Sequence, residues 1–287
     1  VDLDWRHKQK DEGKLTYYGG KQEAIKQGVF DDIDYCVSVH AIGEQFKNRT
    51  IELNCDLAGF NFKYFDFYGK ASHAAFAPEA GVNAQSIATL FTTALAMQRQ
   101  QLKDPNRIRF NPVMIGENTE SINVIPDHVK MGSDLRFFNV NYAQTIMQHF
   151  DNAAKGCALA LGGQVEINTQ VGYLPLHSNR DMNALVKKTF EADDRIPDLI
   201  DDRGYIMAAG DIGDVGFLIP TIQIGYGGWE GTIHGSDFKL IDPEFVLKIF
   251  PEFVFNSVLN ISHNLGKVKS YRHSKEEYLQ ALEGMEK

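Results

Sequence analysis

The chain has 287 residues, of which 43% are hydrophobic and 23% are charged, and its formal net charge is −9. This composition is typical of a globular protein with one large or two ordinary domains, and the negative charge argues against a general nucleic-acid binder, which needs a basic face. Three widely spaced cysteines without a CxxC pair predict free thiols in a reducing compartment, and hence a cytoplasmic protein.

Residues 1–56 predict the beginning of an α/β domain. Val1–Arg6 alternates like an edge strand, Lys21–Gln27 predicts a helix that ends at Gly28, and "YCVSVH" predicts a buried strand that ends at His40. We find no signal peptide and no run of about 18 apolar residues, so the sequence predicts neither secretion nor a membrane partner.

A second pattern begins near Asn54 and gives strand and helix signals in the order β-α-β-β-α-β. The six segments are "FNFKYFDFYG", Val82 to about Lys103, "RIRFNPVMIG", "SINVIPDHVKMGSDLRFF", Asn141 to about Leu161, and "QVEINTQV". This order is the ferredoxin-like, split βαβ arrangement. We therefore predict a ferredoxin-like α+β domain over residues 57–176, inserted into an α/β domain that consists of residues 1–56 and 177–287.

The last third of the chain predicts the second part of the α/β domain. A helix from Arg180 to about Asp194 is followed by a strand near "FLIPTIQIG", the glycine-rich loop "GYGGWEGTIHG" and a helix from Pro243 to about Leu265. His234 lies in that glycine-rich loop, where the backbone can approach a ligand closely.

Four polar residues occupy positions from which metal sites are built in α/β proteins: Asp11, Glu12, His40 and His234. Zinc prefers imidazole nitrogen and carboxylate oxygen, and ligands in α/β sheets come from the carboxyl ends of strands. Each residue also has an ordinary interpretation, because a strand-end histidine commonly makes hydrogen bonds and an Asp-Glu pair is commonly part of a solvated loop. Spacing alone leaves both interpretations open.

Four segments, taken together and in this order, resemble the zinc aminoacylase and carboxypeptidase family of metallohydrolases: "GVFDDIDYCVSVH", "FYGKASHAAFAPEAGVNA", "SINVIPDHVKMGSDLRFF" and "GDIGDVGFLIPTIQIG". Within that family the chain is most similar to bacterial amidohydrolases that cleave N-acyl amino acids, including aminobenzoyl-glutamate hydrolase. The resemblance implies a zinc-hydrolase type mixed sheet flanked by helices. It also implies that the inserted domain is a lid through which the protein forms a homodimer.

The resemblance further implies a metal site. Glu12, His40 and His234 match the family's ligands of a divalent metal, which we expect to be zinc, with manganese or cobalt as alternatives. Asp11 matches the family's general base, although the family usually has a glutamate there, whose side chain is one methylene longer.

Residues of the lid domain match further functional positions of the family. His73 in "GKASHAA" matches the histidine that stabilises the oxyanion, commonly across a dimer, although a strand-to-loop histidine that contacts Pro78 is an alternative. Asn123 and Arg136 match residues that hold the substrate carboxylate, which an arginine can bind in bidentate fashion. Outside the lid, Asp214 in "GDIGDV" lies where the family has an acid near the metal, and helix capping explains it as well.

One part of the family pattern has no counterpart in the sequence: a strand followed by a "GHD"-type loop that carries another metal ligand. Either further residues precede Val1 in the functional protein, which is our expectation, or half of the metal site has been lost. The sequence thus predicts a metal-dependent hydrolase that cleaves N-acyl amino acids or small peptides with metal-activated water. The alternatives are a catalytically impaired relative that binds an amino-acid-like ligand or a partner protein, and a purely structural dimer module.

Overall fold

The computed structural model describes residue 5 and residues 8–10, 12–43, 46, 48–116 and 121–286. The chain divides into two compact units. Unit 1 contains residues 1–58 and 173–278, and unit 2 contains residues 59–172 and 279–287. The predicted mixed α/β fold with an inserted α+β domain is confirmed.

The described residues form helices and strands with the following bounds. The helices are α1 (Gly20–Lys26), α2 (Ala84–Gln98), α3 (Val140–Ala160), α4 (Arg180–Glu191), α5 (Ile212–Leu218), α6 (Phe250–His263) and α7 (Lys275–Glu286). The strands are β1 (Cys36–Ala41), β2 (Thr50–Glu52), β3 (Cys55–Leu57), β4 (Gly59–Tyr68), β5 (Arg109–Ile115), β6 (His128–Phe137), β7 (Gln164–Val171), β8 (Asp198–Ile200), β9 (Gly204–Ile206), β10 (Thr221–Tyr226), β11 (Trp229–Glu230) and β12 (Lys239–Leu240).

Unit 1 is built on a mixed sheet whose strands follow the order β1-β10-β2-β8. β1 runs parallel to β10, and β2 runs antiparallel to β10. The core joins the sheet residues Ile51 and Ile224 to Leu185 of α4 and Phe253 of α6. Because helices cover the apolar face of this sheet, its carboxyl-end loops are available to form a site.

A π-helical segment, Phe245–Ile249, continues directly into α6. The 19 residues from Phe245 to His263, with mean hydropathy 1.3, are the one helix in the described part of the chain that is long and apolar enough to cross a membrane. The helix meets this criterion by its length and composition only. In unit 1, Phe245, Ile249 and Phe253 are buried in the core.

The predicted edge strand over Val1–Arg6 is wrong where the structure describes it, because Trp5 and residues 8–10 are helical. The amide of Glu12 donates to the carbonyl oxygen of Lys8 over 3.0 Å, and Gly13, with a φ of +69°, follows this helical turn. Lysine and glutamine favour helix, and this preference outweighs the alternation of three apolar residues. Glu12 therefore follows a helix and not a strand.

Unit 2 is an antiparallel sheet in the order β5-β6-β4-β7, with α2 and α3 packed on one face. Burial alternates along β4, so that Phe65 and Phe67 are fully buried under the helices while Tyr64 is half-buried. The element order β4-α2-β5-β6-α3-β7 is the predicted ferredoxin-like order. A buried ion pair joins the sheet to α3, with Lys63 Nζ 2.8 Å from Asp151 Oδ1.

Candidate active site

Three neighbouring strands of unit 1 bring His40 and Glu52 into one row of the sheet. His40 of β1 pairs with Gly225 of β10, which in turn pairs with Glu52 of β2. Side chains of paired residues lie on the same face of a sheet, so only a glycine separates the imidazole from the carboxylate. A Cβ at Gly225 would lie 3.0 Å from Glu52 Oε1 and 2.3 Å from Ile42 Cδ1. Gly225 is needed because neighbouring side chains occupy the space above it.

The loop that carries His234 packs against the end of β1. A Cβ at Gly43 would lie only 2.3 Å from the carbonyl oxygen of Gly231, so the two backbones are in direct contact. His40, Gly43 and residues 231–233 line one cavity of about 420 Å³ in unit 1. The structure therefore brings His40 and the loop of His234 to the same cavity.

The hydrogen bond of His40 determines which of its nitrogens carries the hydrogen. Nδ1 lies 2.7 Å from the carbonyl oxygen of Ala41. A carbonyl oxygen only accepts, so Nδ1 carries the hydrogen and the lone pair is on Nε2. Metal-binding histidines commonly donate from their second ring nitrogen to a backbone carbonyl in this way. The exposed His40 side chain thus presents the nitrogen that a metal ion needs.

His234 occupies a strained turn beside the cavity. The amide of Gly235 donates to the carbonyl oxygen of Thr232 over 2.7 Å, which places His234 at the third position of the turn. Its φ is +68°, in the left-handed region that favours glycine. A side chain held there costs of the order of 1 kcal/mol, and such strain is concentrated at functional sites.

Glu12, one of the two acidic residues predicted at the metal site, is placed differently from His40. Glu12 is exposed, and its Oε2 lies 2.6 Å from Nζ of Lys14. The described residues that line the cavity include His40 and exclude Glu12. Asp11 lies outside the described residues. The roles of Asp11 and Glu12 stay predictions.

A divalent metal fits this part of the chain only in part. The lone pair of His40 and the position of His234 beside the same cavity suit two imidazole ligands. Within the described ranges, however, no three His, Cys, Asp or Glu side chains gather into a group that could hold a metal ion. The described residues thus supply two candidate ligands of an incomplete set.

The wall of the cavity carries an ion pair between a buried carboxylate and an exposed arginine. Glu52 is 4% exposed, and Nε of Arg203 lies 3.1 Å from its Oε2. Burial raises the pKa of Glu52, and the charge of Arg203 partly offsets that rise. Burial also raises the pKa of Cys55 to about 12, so this residue stays a thiol and is unsuited to act as a nucleophile.

His73 of unit 2 has the opposite tautomer to His40. Its Nδ1 accepts hydrogen bonds from the amides of Ala75 (3.2 Å) and Phe76 (3.1 Å). The hydrogen of the neutral ring is therefore on Nε2. The exposed His73 side chain presents an N–H donor, which is what a developing oxyanion requires.

Unit 2 brings Asn123 to His73 but places Arg136 elsewhere. The amide of Ala74 donates to the carbonyl oxygen of Asn123 over 2.9 Å, so the loops of His73 and Asn123 are neighbours beyond the His128 end of β6. Arg136 lies eight residues after His128 on that strand, which is roughly 26 Å away at about 3.3 Å per residue. A small substrate does not span this distance. Asn123 and Arg136 of one chain therefore do not hold the same carboxylate.

Arg136 has partners of its own within the sheet. Its Nε donates to Asp134 Oδ2 over 2.8 Å, and its guanidinium lies over the ring of Phe60, 5.7 Å from the centroid. These contacts hold the guanidinium on the face of the sheet opposite α2 and α3, because Phe60 pairs with Arg136 and alternates with the buried side of β4.

Asp214 is a structural residue of unit 1 rather than a helix cap. It is completely buried, and its Oδ1 accepts from the hydroxyl of Tyr278 over 2.9 Å and from Nε2 of Gln22 over 3.3 Å. Burial raises the pKa of Asp214 to about 7. The carboxyl group thus joins α1, α5 and α7.

Comparison with known proteins identifies the second unit. Residues 56–156 match the family model M20_dimer, described as a peptidase dimerisation domain. Unit 2 is similar to an M20 peptidase dimerisation domain. The match runs from β3 into α3 and includes His73, Asn123 and Arg136.

The chain is similar to curated proteins that are named for hydrolysis. The chain is 29% identical over 152 residues to Xaa-Arg dipeptidase of Mus musculus, covering 53% of this chain and 33% of that protein. It is 29% identical over 168 residues to a p-aminobenzoyl-glutamate hydrolase polypeptide of Escherichia coli, covering 54% of this chain and 32% of that protein. The chain thus spans about a third of the length of these relatives.

The likeness to solved structures extends beyond unit 2. A proposed aminohydrolase from methicillin-resistant Staphylococcus aureus superposes with a TM-score of 0.71 at 20% identity, covering 84% of this chain and 62% of that one. A dinuclear metal-binding peptidase of the M20 family from Bacillus subtilis superposes with a TM-score of 0.63 at 16% identity, covering 84% and 60%. Both likenesses concern the fold alone.

Sequence reasoning missed Glu52 and Arg203, which the structure places in the cavity wall with His40. The sequence does contain a signal for Glu52, which is a charged residue inside the short apolar strand "TIEL". A carboxylate buried in such a strand needs a partner. Its partner, Arg203, is distant in sequence and lies in an ordinary polar turn, which no local pattern distinguishes.

Proposed function

We propose that the protein is a metal-dependent hydrolase of the amide or peptide bond in N-acyl amino acids or small peptides. The opposite tautomers of His40 and His73 carry this proposal. One histidine presents a lone pair for a metal ion, and the other presents an N–H for an oxyanion. The relatives, named for dipeptide and aminobenzoyl-glutamate hydrolysis, support the same reaction class.

In the proposed site, His40 and His234 hold a divalent metal, which is zinc by their donor type, with manganese or cobalt as alternatives. Glu12 is the proposed carboxylate ligand. The similar dinuclear metal-binding peptidase supports a metal in this fold. When bound, the metal supplies Lewis-acid chemistry at the scissile carbonyl.

The remaining steps belong to side chains of the chain itself. His73 donates from Nε2 to the carbonyl oxygen as that oxygen gains negative charge. Asp11 accepts a proton from the attacking water and returns it to the leaving nitrogen. Arg136 binds the substrate carboxylate through its guanidinium.

We further propose a cytoplasmic homodimer that acts on small molecules and has no nucleic-acid or membrane partner. The M20 dimerisation domain supports the dimer. The distance between Arg136 and the His73–Asn123 pair supports it as well, because one small substrate meets both only if they come from two copies. The edge strand β5 carries exposed apolar side chains, among them Val113 and Met114, that suit a contact between copies.

The test is an assay of the zinc- or manganese-loaded protein on a panel of N-acyl amino acids and dipeptides. We expect metal-dependent release of a free amino acid, and a loss of at least about 100-fold in kcat in H40A and in H73A. Elemental analysis adds a readout that does not depend on activity, since H40A but not H73A should lower the bound metal. Failure to release an amino acid from any substrate would exclude the proposal.

A further inference from the structure

The turn that carries His234 is the tip of a short hairpin, residues 229–240, whose base is the strand pair β11 and β12. The amide of Thr232 donates to Asp237 Oδ2 over 3.2 Å, and both of these residues are exposed. This hydrogen bond joins the two sides of the tip. A shift of the chain after Asp237 therefore moves His234 as well.

Phe238 fills the space between this hairpin and the end of β1. Its ring stacks on that of Trp229, with 5.2 Å between the centroids and 7° between the planes. An edge of the same ring faces Gly43, where a Cβ would lie only 3.0 Å from Cε2 of Phe238. Gly43 follows β1, the strand that carries His40. The ring of Phe238 thus contacts both the base of the hairpin and the chain that follows β1.

The end of β1 meets the hairpin on both sides of its tip. Besides facing Phe238, which follows the tip, Gly43 lies against the carbonyl oxygen of Gly231, which precedes it; a Cβ at Gly43 would be 2.3 Å from that oxygen. Gly43 and Gly231 have no side chain. The ring of Phe238 is therefore the side chain that sets the separation of the hairpin from β1, because close-packed neighbours move when a ring between them is removed.

We infer that Phe238 is a positioning residue, which holds the turn of His234 against the end of β1, beside His40. The inference rests on the proposed function, in which these two histidines hold a divalent metal. Two ligands from separate segments bind one ion together only when the protein keeps their separation fixed. β1 is held by its pairing with β10 along its whole length, so the exposed tip is the part that moves when the ring is lost. Phe238 thus acts through His234.

Zinc titration of four proteins tests this inference: the wild type, F238L, H234A and the double variant. F238L keeps an apolar side chain but removes the ring. We expect F238L to weaken zinc binding at least about tenfold in the wild type, as is typical of a residue that supports a metal ligand. In H234A no imidazole is left to position, so F238L should change the dissociation constant less than about twofold there. Equal weakening in both backgrounds, measured by calorimetry, would show a structural role only and overturn the inference.

Two further variants show whether the effect belongs to this ring. F238Y keeps an aromatic ring beside Trp229 and should bind zinc as the wild type does. F217L makes the same change as F238L at another half-buried phenylalanine of unit 1, whose ring centroid lies 6.0 Å from that of Tyr278. We expect F217L to keep the zinc affinity of the wild type. A loss in F217L as large as in F238L, or in F238Y as large as in F238L, would contradict the assignment.

Gly43 tests the same contact from the side of β1. In G43A the new Cβ would meet the carbonyl oxygen of Gly231 at 2.3 Å and the ring of Phe238 at 3.0 Å, so the hairpin must shift. We expect zinc binding at least about tenfold weaker than in the wild type. G266A is the matched control, because a Cβ at Gly266 meets no atom within 4 Å. Equal zinc affinities of G43A and G266A would overturn the inference, and if G43A does not fold, the four-protein comparison decides.

Zinc affinity is measured without a substrate, so this inference and the hydrolase proposal fail separately. If the expected zinc affinities are found but no substrate of the panel is cleaved, the hydrolase proposal fails and the role of Phe238 stands. If the wild type binds no zinc, or if H234A binds zinc as tightly as the wild type, Phe238 has no ligand to position. Either result overturns the inference, whatever the activity.

Discussion

For single residues, hydrogen-bond geometry distinguishes roles that residue type leaves identical. His40 and His73 are both exposed histidines in loops or at strand ends, and residue type and exposure alone do not separate a ligand from a donor. The carbonyl of Ala41 places the hydrogen of His40 on Nδ1, whereas two backbone amides place that of His73 on Nε2. These partners are adjacent in sequence, but only the folded backbone aims them. The two tautomers therefore follow from the structure and not from the sequence.

The strained turn of His234 leads to a prediction in which stability and activity move apart. Replacing His234 by glycine removes a Cβ from the left-handed region at φ +68°, and we expect H234G to be at least as stable as the wild type, with a gain of up to about 1 kcal/mol. Because the imidazole is a proposed ligand, kcat should fall by at least about 100-fold. Thermal unfolding and the amide-hydrolysis assay measure the two effects.

Two other variants control for this result. H234A lacks the imidazole but keeps a Cβ in the same conformation, so it should lose the activity without the gain in stability. Arg107 has a φ of +46° in unit 2 and no proposed catalytic role, so R107G should not lose activity. An H234G protein that unfolds at a lower temperature than H234A, or that stays active, would contradict the interpretation of the turn as functional strain.

For secondary-structure elements, the sequence predicts strands and helices well where a period runs over many residues. The alternation in "FNFKYFDFYG" predicts β4, whose burial alternates along all of its length. The N-terminal alternation involves only Val1, Leu3 and Trp5, and the helical state of Trp5 and residues 8–10 shows that so short a period does not determine an element. Asp214 shows a second limit, since its partners come from α1 and α7, far away in the sequence.

The junction of α1, α5 and α7 makes the stability of unit 1 depend on pH. Burial raises the pKa of Asp214 from an ordinary value of 3.8 to about 7, and the nearby Asp211 adds to the rise. The folded protein therefore binds a proton more tightly than the unfolded chain does. The stabilisation is fully present below about pH 3.8 and is lost as the pH rises to about 7. Each unit of the shift corresponds to about 1.4 kcal/mol.

Replacing Asp214 by asparagine tests this dependence, because the amide resembles the protonated acid in shape and stays neutral. We expect the free energy of unfolding of the wild type, minus that of D214N, to fall by a few kcal/mol between pH 4 and pH 7 and to stay constant above it. Urea unfolding at several pH values measures the difference and cancels groups common to both proteins. A difference that is constant over this range, or that rises with pH, would show that the carboxyl group is not protonated in the fold.

For the whole molecule, the proposed machinery is spread over two units of different kinds. Unit 1 carries His40 on its mixed sheet and His234 in a loop. Unit 2, which is similar to an M20 dimerisation domain, carries His73 and Arg136. Since the relatives are matched over about a third of their length, the activity is best tested through relations among residues that the structure does describe. The clearest case is the separation between His73 and Arg136 within unit 2.

Mixing two inactive proteins tests whether one reaction uses unit 2 of two copies. H73A and R136A remove groups from opposite ends of β6, where His128 and Arg136 are separated by roughly 26 Å. In a homodimer, a substrate that needs both groups must therefore take them from different chains. In a heterodimer of the two variants, one site then lacks both groups and the other keeps both. Half of the dimers in an equal mixture are heterodimers, each with one intact site of two, so about a quarter of the wild-type activity should return. Each chain carries one inactivating change, so sites that take both groups from one chain would recover no activity on mixing. A mixture as inactive as its components would therefore exclude a site that takes His73 from one chain and Arg136 from the other.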